Sequence, residues 1–453
     1  MSDYSTLDLR SFLSLAQDKG ASACVEIGKP VSTRFITTAI VKSFAQKLRS
    51  PVIQFSQVEN SSYPMVTNVC ASLERVAQSA QITSAELHDR MLGALQADIS
   101  PVLLNAEQAP VRQVVRETSE FSLHDLPAAF YTETQTHPYI TSAILVARDP
   151  ATGRHNLSFN RLMIADDHVC AIYMTPGGHL DQIWKTNSAE GQGTPIAAVI
   201  GHHPLWCYGA LVAAELGHED YEVLSGMLNA PIALTTCRND LELCVPALAE
   251  IVLEGVIDPV ERLSEGPFGE FLGFVAEQSL RPTIRFDRLS HRNNPIYQDI
   301  VAGQAEHATM SGVSLRARLK RDYMQGTSAV KDFWLPAPMT IFLSLDEAQT
   351  DFDAGSLMRH LLLNEPYLKQ AIAFDSNVDL RKQASVQKAL ACFMQPQCDI
   401  AIIEDLDGNG VDPSEIGGKT SKLAIDARAR TYARSNTLPA EVESEFDLND
   451  WIR

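Results

Sequence analysis

Ser264-Glu265-Gly266-Pro267-Phe268-Gly269-Glu270-Phe271 decides how this chain is read. Two carboxylates flank Gly-Pro and Phe-Gly, residues that disfavour a regular helix or strand, so the segment is expected to be a tight, shaped turn. A turn that holds two acids beside an apolar ring suits an acid with a raised pKa. Upstream, His155-Asn156-Leu157-Ser158-Phe159-Asn160-Arg161 is a strand-like run carrying one cation. Arg161, Glu265 and Glu270 together make a proton-transfer set, the Arg holding an anion and one Glu donating a proton.

Around that stretch the pattern is rich in strands. Thr141 to Arg148, Asn156 to Ile164, Val169 to Met174, Ile196 to Ile200, Pro231 to Thr236 and Thr283 to Leu289 are short, β-rich and turn-bounded. Asp149-Pro150 and Thr152-Gly153 mark a hairpin turn. Helices near Leu205 to Glu215 and Asp220 to Leu228 interrupt the strands, which reads as a barrel-like middle domain over 116–300. Before it, residues 1–115 alternate helices and strands. Thr6 to Asp18 is a helix capped by Ser5 or Thr6 and stopped at Gly20, and Thr83 to Ala97 a helix with Glu86 behind its cap. Pro51 to Phe55 and Pro64 to Val69 are strands. After it, 301–453 is α/β, with buried strands at Ile341 to Leu345 and Ile400 to Ile403 and a polar, aromatic tail from Glu441 to Arg453. The fold class is therefore a multidomain α+β or α/β chain with a central barrel between two α/β domains.

Composition narrows the function. A formal net charge of -19 disfavours nucleic acid and anionic membrane surfaces as partners. No apolar run approaches the ~18 residues of a membrane span. Met1 to Thr6 lacks the basic-then-apolar order of a secretory signal. The eight cysteines form no C-x-x-C pair and read as free thiols, so the expected location is the reducing cytoplasm.

Three motifs do not hold. Asp405 to Gly410 starts like a calcium loop, but the twelfth position is Ile416 and the ninth is Pro413, which leaves an acidic turn after a strand. Gly417-Gly418-Lys419-Thr420 lacks the first glycine of a phosphate loop, because Pro413 stands there. His202 and His203 are adjacent, and on a strand they would face opposite sides. A stronger set is Asn156, His179 and Glu222. It offers a neutral oxygen, a nitrogen and a carboxylate, which suits a divalent ion such as manganese or magnesium. Spacing alone does not show that the three converge.

The chain resembles the UbiD family of decarboxylases, which use prenylated FMN. The resemblance rests on Asn156-x-x-x-x-Arg161, Pro176-Gly177-Gly178-His179, Glu222 in Tyr221 to Leu228, and above all Val245 to Gly255 leading to Glu265 to Gly273. Arg292 to Tyr297 and Ser421 to Ala427 extend it. It implies a split β-barrel flavin-binding domain. Arg161, Glu265 and Glu270 would be the catalytic set. Asn156, His179 and Glu222 would hold a manganese-like ion bridging to the flavin phosphate, with potassium beside it. Thr141, Ser158, Phe159, Asn160, Arg161 and Gly178 would lie along the cofactor. Phe271, His307 and Leu315 would line the substrate pocket. The implied reaction is non-oxidative, reversible decarboxylation of an α,β-unsaturated or (hetero)aromatic acid. A flavin prenyltransferase would supply the cofactor, and the assembly would be a homodimer or larger. A flavin-free metal-dependent lyase or hydrolase, and a non-catalytic flavin-binding protein, are the competing readings. Where many relatives carry a Lys before the last acidic strand, this chain has Pro396-Gln397-Cys398-Asp399. In a regular strand Asn156 and Arg161 would face opposite sides, so a bulge or a strand end is expected between them.

Overall fold

The computed structural model describes residues 4–429, except 48, 213–215, 239, 270–273, 277, 322–327, 347, 349–351 and 409–411. Glu270 and Phe271 of the expected site, and the tail from Glu441 to Arg453, lie outside the described residues. Two compact units form, residues 1–321 and 322–453.

The first unit is built on a nine-stranded sheet. Its strands are β1 (Val114–Glu117), β2 (Tyr139–Ile140), β3 (Ile144–Arg148), β4 (His155–Phe159), β5 (Leu162–Ile164), β6 (Val169–Ile172), β7 (Thr194–Ile200), β8 (Ile251–Glu265) and β9 (Ser279–His291). Their spatial order is β2-β5-β6-β9-β8-β7-β3-β4, with β1 also on β9. This order forces curvature. β4 and β5 are six strand spacings apart along the sheet, about 29 Å if it were flat. Only Asn160 and Arg161 separate them in sequence, a reach of about 11 Å between the flanking Cα atoms. The sheet must therefore curl until its ends meet, giving a barrel with an open seam. Residues 141–143 cross the same seam between β2 and β3.

Period-two alternation sorts the side chains. Leu145, Ala147, Ile196, Ala198, Ile251 and Leu253 join a core with Tyr139, Ile140, Leu162 and Ile164 from the other end of the sheet. That core is the inside of the curl. Ile144, Val146, Ala197, Val199 and Val252 point the other way and pack with the helices. With both faces covered, the strands read as unbroken apolar runs.

The N-terminal segment joins this body. Cys24–Ile27, Val52–Phe55 and Met65–Thr67 form a four-stranded sheet whose last member, Tyr297–Gln298, comes from beyond β9. The first helix, α1 (Leu9–Asp18), begins later than expected. Asp8 caps it, accepting from the Ser11 N–H at 2.8 Å, so the cap is neither Ser5 nor Thr6. Thr83 and Glu86 do form the expected capping box. The second unit has a five-stranded sheet with the parallel core Thr340–Leu345, Gln370–Asp375 and Lys419–Asp426. Asp405 and Asp407 belong to its edge hairpin and face Lys419.

Two other expectations need correction. Asn156 to Ile164 is two strands broken at Asn160-Arg161, because the chain leaves one sheet edge for the other there. Residues 264–269 are less of a turn than the Gly and Pro content suggests. β8 runs to Glu265, and only Gly266-Pro267 interrupts it before Phe268–Gly269 pairs with Val275–Ala276.

Candidate active site

The seam carries the cation. Arg161 sits just past the end of β4, and the buried end of β8 brings Glu265 to it. Nε donates to Glu265 Oε1 at 2.8 Å and Nη2 to Oε2 at 3.1 Å. Glu265 is fully buried. A two-point fork of this kind fixes direction as well as charge. Aromatic rings hold the guanidinium from the sides, with Tyr173 and Phe268 at 4.4 and 4.5 Å from its central carbon. Tyr139, at the far end of the sheet, donates its hydroxyl to Glu265 Oε1 at 3.0 Å. Burial and the nearby Glu265 charge push the Tyr139 phenol up, so it remains a donor.

A second buried acid lies beside the other seam crossing. The Tyr131 hydroxyl donates to Asp299 Oδ1 at 2.6 Å, and Thr141 Oγ1 is 2.8 Å from that hydroxyl. Thr141 Oγ1 is also 2.8 Å from the Ile300 carbonyl oxygen. Burial raises Asp299 to about 6. Ser158 and Asn160 are tied together at 2.8 Å, and Asn160 Nδ2 donates to the Tyr173 carbonyl. The Asn160 side chain thereby anchors the seam crossing next to Arg161.

At the other end of β4, Asn156 meets His179, the first residue of α2 (His179–Ala189). Asn156 Nδ2 and His179 Nδ1 are 3.4 Å apart. Burial lowers the His179 pKa, which favours the neutral, ligand-competent imidazole. Gly178 caps α2, and Gly177 before it has φ +75°, where a side chain would be strained. Glu222 lies in the first turn of α3 (Asp220–Leu228) and faces Arg154 at 3.9 Å. Among the described residues no hydrogen bond joins Glu222 to Asn156 or His179. Asn156 Nδ2 instead donates to Asp220, two residues earlier on that turn, at 3.2 Å. Burial pushes Asp220 up to about 7.

The residues fit a divalent ion on one specific observation. Asn156 Oδ1 is buried and has no hydrogen-bond partner. A buried carbonyl oxygen in that state is costly unless something absent from the protein satisfies it. The His179 imidazole lies 3.4 Å from the same amide's nitrogen, and a mixed O/N set of this kind accepts manganese or magnesium.

The remaining expected positions are on α4 (Ala305–Leu319). His307 Nδ1 accepts from the Gly303 N–H at 3.3 Å, and Leu315 is half-buried two turns further on. His202 and His203 are both buried before a helix; His202 stacks on Trp206 and His203 edges onto Phe12. Sequence reasoning missed Tyr139, Tyr173, Asp220 and Asp299. Asp220 reads as an ordinary acid in a helix first turn. The others acquire meaning only when the curl brings distant strands together.

Comparison with known proteins agrees with this fold. Three family models cover most of the chain: the N-terminal domain of 3-octaprenyl-4-hydroxybenzoate carboxy-lyase over residues 15–95, its Rift-related domain over 102–305 and its C-terminal domain over 308–427. Anhydromevalonate phosphate decarboxylase from Methanosarcina mazei is 28% identical over 442 residues, 96% of this chain and 99% of that protein. Phenolic acid decarboxylase from Sedimentibacter hydroxybenzoicus is 27% identical over 441 residues, 93% and 91% of the two chains. The structure of the UbiD-class enzyme HmfF from Pelotomaculum thermopropionicum, in complex with FMN, matches with a TM-score of 0.89 at 25% identity. It covers 98% of this chain and 100% of that one. With its curled barrel, its buried Arg161–Glu265 fork and family matches along nearly its whole length, the chain belongs to the UbiD family of carboxy-lyases.

Proposed function

We propose that this carboxy-lyase removes CO2, without net oxidation, from an α,β-unsaturated or (hetero)aromatic carboxylic acid, using prenylated FMN and a divalent metal. The observation that carries the reading is the Arg161–Glu265 fork at the barrel seam. When bound, the prenylated flavin supplies the electron sink for the departing carboxylate.

The chain's own residues do the rest. Arg161 spends two of its five N–H donors on Glu265 and presents positive charge to the substrate carboxylate. Tyr139 and the two flanking rings keep that pair from rotating. Glu270 delivers the proton to the carbon left by CO2, a role assigned by family resemblance. A positioned acid of this kind is worth about 10²–10⁴ in rate. Asn156, His179 and Glu222 would hold manganese or magnesium against the flavin phosphate, with potassium beside it. Thr141, Ser158, Phe159, Asn160 and Gly178 would line the flavin.

Phe271, His307 and Leu315 would shape the substrate pocket. The two relatives are named for different acids, anhydromevalonate phosphate and phenolic acids, and the proposal spans both kinds. The working frame has domains at 1–115, 116–300 and 301–453, a cytoplasmic homodimer or larger assembly, and a flavin prenyltransferase as cofactor supplier. No helix among the described residues is long and apolar enough to cross a membrane.

CO2 release from a panel of unsaturated and aromatic acids tests the reading. Glu270→Gln is expected to abolish release while keeping bound flavin. Wild-type turnover by that variant would remove Glu270 from the mechanism.

A further inference from the structure

Asp220 has no role in the reaction described above, yet this half-buried acid ties α3 to β4. Its Oδ2 accepts two hydrogen bonds, from the Leu157 backbone N–H at 2.8 Å and from Asn156 Nδ2 at 3.2 Å. On the other side of the same amide, Asn156 Oδ1 is buried without a partner. An asparagine amide fits a given space in either of two orientations, and its neighbours decide between them. Asp220 Oδ2 already accepts from the Leu157 N–H, so as an acceptor it takes the NH2 end of Asn156 and turns the oxygen away. His179 Nδ1, 3.4 Å from the same Nδ2, is consistent with that orientation.

We propose that Asp220 is a positioning residue that locks the Asn156 amide with Oδ1 presented to a divalent cation. The inference rests on the metal reading of Asn156, His179 and Glu222. It adds an acid that does not itself ligate but decides whether Asn156 offers an oxygen or an N–H. In the opposite orientation an NH2 group would point at the cation, and the site would repel what it is built to hold. Partners one step removed from a metal ligand commonly govern affinity in this way, and their mutation typically costs about 10–100-fold.

The orienting role separates cleanly from a structural one. Asp220→Ala removes the oxygen that accepts from both Leu157 N–H and Asn156 Nδ2, and so frees the Asn156 amide to flip. Asn156→Asp in that background removes the consequence, because a carboxylate has no wrong end.

The test is a Mn2+ titration of the full chain with saturating FMN, read by the loss of the free-Mn2+ paramagnetic resonance signal, with the Tm of each variant recorded. The expected result is about 10–100-fold weaker Mn2+ binding in Asp220→Ala. Asn156→Asp/Asp220→Ala is expected to recover wild-type affinity. Equal Mn2+ affinity in wild type and Asp220→Ala would overturn the inference and leave the metal reading standing. A double variant no tighter than Asp220→Ala would also overturn it. A wild-type protein that binds no Mn2+ would overturn the metal reading, and the inference with it.

Discussion

Arg161 and Glu265 lie 104 residues apart in sequence and meet through two hydrogen bonds, with the carboxylate fully buried. Removing one partner of such a pair leaves a buried charge with too few partners, at a cost of about 3–5 kcal/mol. Arg161→Ala should therefore lower the unfolding free energy by that amount. Adding Glu265→Leu should recover part of it while activity stays lost. Denaturant unfolding of both variants is the check; Arg161→Ala unfolding at the wild-type midpoint would contradict the account.

Tyr139→Phe removes one hydroxyl and leaves the ring against Phe268, 4.6 Å away between centroids. A hydrogen bond to a charged group contributes about 1.5–3 kcal/mol. The variant should lose stability of that order, and kcat should fall because Glu265 loses one of its fixed contacts. Thermal unfolding and steady-state kinetics measure the two effects separately.

His179→Ala and Glu222→Ala should each lose metal and flavin together, because these residues would hold the proposed ion on which flavin binding would depend. Elemental analysis and the visible spectrum of the purified variants decide it. Both ligands retained at full occupancy would remove the metal from the account.

The sequence made some of this legible and hid the rest for physical reasons. Helix ends were readable where a side chain caps its own helix, as Thr83 does with Glu86, or where an acidic start meets an apolar run, as at Asp220–Leu228. The start of α1 was misplaced because Ser5, Thr6 and Asp8 are all capable caps and local sequence does not rank them. The seam was hidden, since Asn160-Arg161 contains neither Gly nor Pro. Its break comes from strand order, a non-local property. That break also settles the problem of Asn156 and Arg161: the first is inside β4, the second beyond its end. Arg161, Asn156 and His179 were singled out by residue type, family resemblance gave them roles, and the geometry then supplied Tyr139 and Asp220.

Glu306 gives a pH signature independent of catalysis. It is fully buried and accepts from the backbone N–H groups of Asn68 and Cys70 at 2.8 and 2.6 Å. Burial raises it from 4.5 to about 8, with Cys207 and Asp299 adding to the rise. A carboxyl whose folded pKa is raised favours folding below its unfolded value, and that contribution fades as pH climbs through the folded one. Wild-type Tm should therefore fall more steeply than that of Glu306→Gln between about pH 5 and pH 8, and the two should run parallel above that range. Identical slopes in thermal scans across the range would contradict the assignment.

The central claim is that this barrel carries a prenylated flavin. The most direct measurement is the visible spectrum of the protein, with mass spectrometry of its released ligand, after expression alongside a flavin prenyltransferase and with manganese supplied. The account predicts a yellow protein that releases the mass of prenylated FMN. A folded, metal-loaded and colourless protein would contradict it and favour a flavin-free metal-dependent lyase.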